Sequence, residues 1–293
     1  MNIFLTGLSH AGVIFMRLLA PLPLSFVRAL GWLIGWMLYG LISARRHVVR
    51  KNLALCFPTK SQKDLRRLER QIFITFTQAW FDRSWLWHGS PRLLAQRLKV
   101  TGNLQALREA PRLVLFTPHF VGLDAGGAAI CKDQLRALCS IYTSQSNKVV
   151  DDWIFKGRTR HGGRLLSKND GAREIATAVK NGEALYLLPD MDFGANGAEF
   201  VPFFGNLAAT ITSLSRFSRL PKASVMTVVN RMTPQGYEVE LSDLWDNFPT
   251  RDAAADTLRM NQELEKLILT MPEQYFWVHK RFKTRPPGGP PIY

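Results

Sequence analysis

Acidic residues and cysteine are both scarce in this 293-residue chain. Only 23 Asp+Glu stand against 38 Lys+Arg, a formal charge of +15. That excess implies an anionic partner: nucleic acid, an anionic membrane surface or an acidic protein. The three cysteines, Cys56, Cys131 and Cys139, form no Cys-x-x-Cys pair. Their odd count argues against a disulfide framework and a zinc site, and fits a reducing compartment. No stretch reads as an interdomain linker, no segment repeats, and the glycines match neither a Walker nor a dinucleotide-binding pattern.

Charge is also missing from most of the N-terminal region. Between Ala11 and Ser43 the only charged residues are Arg17 and Arg28. Leu24 to Ser43 matches the ~20 apolar residues that cross a bilayer. Without the small-residue cleavage site of a signal peptide, it is expected to be retained. Trp32, Trp36 and Tyr39 are amphipathic in the manner of interfacial anchors, and the basic run Arg45–Lys51 follows. Pro21, Pro23 and Arg28 leave open whether this helix spans the bilayer or lies in its surface, and a buried core helix is the alternative to both. Residues 1–44 are therefore expected to be a membrane anchor, 45–285 the main domain, and the Pro/Gly-rich 286–293 a mobile tail.

Ser61 to Trp87 carries helical periodicity behind a serine cap. Short apolar runs at Arg112–Thr117, Leu135–Tyr142, Ala184–Leu188, Ser224–Asn230 and Tyr237–Leu241 predict strands. Helices are predicted between several of them, at Leu123–Lys132, Val149–Arg158, Gly171–Asn181 and Ala208–Ser218, and a last long one at Ala253–Met271 ends before Pro272. This alternation predicts an α/β domain with a mixed, largely parallel sheet flanked by helices.

The chemistry concentrates where strands end. In Thr117-Pro118-His119-x4-Asp124, a histidine follows the first of these strands, in the place where α/β sheets collect ligands and catalytic groups. His119 in the turn and Asp124 at the start of the next helix could meet. The carboxylate would fix the imidazole tautomer and leave the other nitrogen as a base. A histidine merely satisfied at a strand end is the competing reading. Pro189-Asp190-Met191-Asp192 ends another strand with two carboxylates; lacking a nearby histidine or further acids, they suit positioning better than metal binding. Phe200–Phe204 reads equally as core or as the wall of an acyl groove. Lys156–Arg164 is either a solvated basic face or an arginine site for phosphate.

Taken together, the ordered blocks are specific. They are His119-x4-Asp124, Gly157-Arg158-x-Arg160, Gly182-Glu183, Pro189-Asp190-x-Asp192-Phe193-Gly194, Phe200–Phe204 and Pro272–Lys283. The set resembles the late acyltransferases of lipid A biosynthesis, within the lysophospholipid acyltransferase superfamily, over nearly the whole chain. The resemblance implies acyl transfer from acyl carrier protein to a hydroxyl of a Kdo-modified lipid A precursor, on the cytoplasmic side of a bacterial inner membrane. It implies His119 as base oriented by Asp124, with Arg158 and Asp190 as further functional residues; Arg160 and Asp192 lie in the same blocks. No cofactor, metal or nucleic acid is implied. Asp124 stands where lauroyl-type members commonly carry glutamate, and Met191 where glutamine or histidine is common. The alternatives are an acyltransferase for another glycolipid or lysophospholipid, or a non-catalytic basic protein anchored at the membrane.

Overall fold

The computed structural model describes residues 3–167 and 171–293, so the first two residues of the expected anchor lie outside it. Five helices come first: α1 Ile3–Leu19, α2 Leu24–Leu41, α3 Ser43–Cys56, α4 Gln62–His88 and α5 Pro91–Arg97. Ser61 caps α4 as expected, its Oγ accepting from the Asp64 N–H at 3.1 Å.

The α/β part follows. In chain order it comprises β1 Leu98–Gly102, α6 Leu104–Glu109, β2 Arg112–Phe116, α7 Leu123–Lys132, β3 Leu138–Tyr142, α8 Lys148–Thr159 and β4 Arg164–Ser167. Then come α9 Gly171–Lys180, β5 Ala184–Leu187, β6 Ala198–Phe203, β7 Asn206–Ile211, α10 Ser213–Ser218, β8 Ala223–Thr233, β9 Gly236–Leu244 and α11 Ala253–Thr270. The main sheet has the order β1-β9-β8-β2-β5-β3-β4, parallel at every pairing except β8–β9. The mixed, largely parallel α/β class expected from the alternation is the observed one.

The helix expected over 208–218 is a correction. Residues 206–211 form β7, which pairs antiparallel with β6, and only Ser213–Ser218 is helical. Pairing with Phe200–Phe203 overrides the helix preference of Ala208 and Ala209. Phe203 is fully buried in the core, which gives this strand a packing role.

Arg28, the charge inside the apolar N-terminal stretch, has a structural use. Its Nε and Nη2 reach Asp82 of α4 at 3.1 and 3.0 Å, and Nη2 also donates to the Gly236 carbonyl at 3.0 Å. Gly31 and Gly35 let α2 approach α4 closely: a Cβ there would fall 2.8 Å from the Gln78 Cα and 2.7 Å from the Ile74 Cα. The outer face of α2 remains open and apolar, with Phe26, Leu33, Trp36, Met37 and Leu41 exposed, and α1 adds Leu8, Ile14, Phe15 and Leu18. Leu24–Leu41 is long and apolar enough to cross a membrane by length and composition. One of its faces is nonetheless committed to protein. At the other end of the chain, residues 286–293 form no helix or strand, yet the Tyr293 hydroxyl bonds Asn52 and accepts from the Phe282 N–H.

Candidate active site

Parallel register sets the site. β2 and β5 are adjacent and pair Phe116 with Leu187. Each is followed by one residue, a proline, and then a polar side chain: Thr117-Pro118-His119 and Leu188-Pro189-Asp190. Equal offsets from paired residues at the same end of the sheet bring those side chains together. His119 Nδ1 lies 2.7 Å from Asp190 Oδ1, and the His119 backbone N–H donates to Asp190 Oδ2 at 3.0 Å. Asp190 is fully buried, whereas His119 keeps 22% of its side chain exposed.

This geometry corrects the expected pairing. The carboxylate on His119 Nδ1 is Asp190, not Asp124. Asp124, in the first turn of α7, instead accepts from Arg83 Nε of α4 at 2.7 Å and from Arg158 Nε of α8 at 2.8 Å. Burial pushes both carboxyl groups up, but their partners outweigh it. Arg158 and Arg83 hold Asp124 below the ordinary carboxylate value, and His119 does the same for Asp190. Both are therefore carboxylates at neutral pH. Facing an ionised Asp190, a neutral His119 imidazole would keep its proton on Nδ1, which leaves the lone pair on Nε2.

The histidine is braced from the C-terminal segment. Phe276 N–H donates to the His119 carbonyl at 3.0 Å, and its ring stacks on the imidazole at 6.2 Å. His279 Nε2 accepts from the Asp192 N–H at 3.1 Å. Burial, and then the proximity of His119, lowers His279 to about 4, so it stays a neutral acceptor. Asp192 is a loop brace: its oxygens accept from Thr284 N–H, Thr284 Oγ1 and Gly194 N–H at 2.7, 2.8 and 3.0 Å. With the Asp190 and Asp192 oxygens engaged by protein donors, the pair is not arranged as a metal site. Among the described residues no group of three or more His, Cys, Asp or Glu could hold one.

His119, Asp124 and Arg158 line a cleft of about 560 Å³ whose walls are mostly apolar, including Leu123, Ile175, Leu187 and Phe217. Phe200–Phe204, weighed as a possible groove wall, is not part of this lining. Cys131 and Cys139 do line it, but burial pushes their thiols up to about 11 and 12. Neither is a thiolate nucleophile at neutral pH. Arg160 departs from the expected cluster: its Nη2 donates to the Gly89 carbonyl at 2.7 Å, and it lines a different cleft. Sequence reasoning missed Arg83, forty-one positions before its partner, for which there was no local signal. The His119–Asp190 pairing did have one, in the repeated strand, residue, proline spacing.

A family model described as bacterial lipid A biosynthesis acyltransferase matches residues 2–284. The lipid A biosynthesis palmitoleoyltransferase of Escherichia coli (strain K12) is 31% identical over 291 residues, covering 96% of this chain and 92% of the relative. The lipid A biosynthesis lauroyltransferase of the same strain is 29% identical over 98% and 94%. Its lipid A biosynthesis myristoyltransferase is 30% identical over 85% and 78%. A 1-acyl-sn-glycerophosphate acyltransferase structure from Thermotoga maritima aligns with 80% of this chain at a TM-score of 0.35 and 14% identity, too distant to assign anything to it.

Proposed function

The chain belongs to the bacterial lipid A biosynthesis acyltransferase family, and we propose that it transfers a fatty acyl chain from acyl carrier protein to a hydroxyl of a Kdo-modified lipid A precursor. The observation that carries the reading is the His119–Asp190 pair, whose histidine lines a mostly apolar cleft. His119 Nε2 takes the proton of the acceptor hydroxyl as its oxygen attacks the thioester carbonyl. The resulting imidazolium is stabilised by Asp190 across Nδ1. As the tetrahedral intermediate collapses, the carbon–sulfur bond breaks and the proton passes from Nε2 to the departing thiolate. Arg158, partly exposed beside Asp124, is assigned to oppose the negative charge that develops on the carbonyl oxygen. The apolar walls take the acyl chain. The basic excess of the chain favours an acidic carrier as donor.

The test uses the purified full-length protein with an acyl carrier protein thioester and a Kdo-bearing lipid A precursor. One acyl increment on the precursor is the expected mass change. An unchanged precursor, with a lysophospholipid or another glycolipid acylated instead, would overturn the acceptor. Equal specificity constants with a matched coenzyme A thioester would remove the carrier protein.

The exposed faces of α1 and α2 are read as the surface that seats the enzyme on the cytoplasmic side of the inner membrane, which makes these two helices an anchor that is also packed on α4. Changing Leu33, Trp36 and Met37 together to serine is expected to move the protein from the membrane pellet to the high-salt supernatant while leaving its melting temperature nearly unchanged. Retention in the pellet would show that membrane attachment lies elsewhere. Deleting the whole segment is a poorer probe, because it also strips α4 of a packed face and leaves Asp82 without Arg28.

A further inference from the structure

A second cleft, of about 550 Å³, shares α8 with the cleft that holds His119, and Gly157 borders both. Its walls come from α1, the C-terminal end of α4, and α8 with the residues just after it. Four cations line it, Arg17, Lys148, Lys156 and Arg160, against one carboxylate, Asp152. Asp152 is already engaged by Lys156 at 2.7 Å. Among the described residues no carboxylate pairs with Arg17, Lys148 or Arg160.

The cations converge from separate elements. Arg17 from α1 and Arg160 from beyond α8 line this cleft together with His88 at the end of α4. His88 Nε2 accepts from Trp153 Nε1 at 2.9 Å, and Trp87 and Trp153, which also line the cleft, pack at 4.4 Å between ring centroids. Like charges lining one cleft repel one another unless an anion joins them. Planar guanidiniums match the oxygens of a phosphoryl group with paired N–H donors. Arg17 also lies on a helix whose Leu8, Ile14, Phe15 and Leu18 are exposed and apolar, so a ligand combining phosphate with a hydrocarbon chain meets both surfaces.

We propose that this second cleft, between α1, the end of α4 and α8, binds the phosphoryl group of a phosphorylated amphiphile, with Arg17, Lys148 and Arg160 as its cations. α8 carries Arg158 into the active-site cleft and leads to Arg160 in this one.

Trp87 and Trp153 supply the readout. The full-length protein in neutral maltoside detergent is titrated with dodecyl phosphate while tryptophan fluorescence is followed. A saturable change is expected in the wild type, with affinity falling at least about tenfold in the Arg17→Gln/Lys148→Gln double variant, the loss of more than one charge-assisted contact. Each single variant is expected to fall between the two, and inorganic phosphate to bind more weakly than dodecyl phosphate. Thermal melts of the variants verify that they are folded, since neither residue pairs with a carboxylate among those described. Equal affinity of wild type and double variant for dodecyl phosphate would overturn the site. Inorganic phosphate binding as tightly as dodecyl phosphate would overturn its assignment to an amphiphile.

Discussion

His119→Ala is expected to lower kcat for acyl transfer by on the order of 10²–10⁴-fold while leaving the melting temperature close to that of the wild type. The imidazole makes one hydrogen bond through Nδ1 and a stacking contact with Phe276, and part of it faces the cleft, so little packing is lost with it. What is lost is the group proposed to accept the hydroxyl proton. Membrane attachment is expected to persist, because α1 and α2 are untouched. Purified His119→Ala turning over within a few fold of wild type would remove the general base from this mechanism.

Asp124→Asn is expected to behave differently. Its carboxylate is the common acceptor for Arg83 and Arg158 and links α4, α7 and α8. The amide keeps the shape and removes the charge, leaving two largely buried guanidiniums without their counter-ion. Breaking a buried pair in this way costs about 3–5 kcal/mol, a fall in melting temperature of roughly 5–8 °C for a chain of this size. Activity should fall as well, through displaced Arg158. The sign of the pH effect follows from the direction of the shift. The folded-state carboxyl titrates below its unfolded value, so its stabilisation is present above the ordinary carboxylate range and is lost as pH falls through the lower folded value. Asp124→Asn should therefore lose part of the acid sensitivity of the wild-type melt. An unchanged melting temperature at neutral pH would contradict this structural role.

The contrast between these two substitutions marks how far the sequence could be read. The strand–proline–histidine and strand–proline–aspartate segments were visible, and α7 begins and ends where its pattern predicts. The pairing within the site depends on which strands are neighbours. Because β5 inserts between β2 and β3, the group beside His119 comes from seventy-one residues away, and Asp124, five residues away, faces two arginines instead. Linear proximity suggested the wrong partner; the equal offset of His119 and Asp190 from paired residues held the right one. β7 was misread for a related reason, since its strand state is imposed by β6. Arg28 looked like a flaw in a membrane segment and is the ion-pair partner of Asp82, a fact that no window of hydropathy contains.

We propose that His119 and Asp190 act as one catalytic unit. The measurement that tests it most directly is kcat for His119→Ala, Asp190→Asn and the double variant, under saturating donor and acceptor, with circular dichroism verifying the fold of each. Groups that act together lose their effect together. Asp190→Asn alone should be severely impaired, and adding it to His119→Ala should cost less than a further twofold. Multiplication of the two single effects in the double variant would contradict the account, since Asp190 would then contribute without His119.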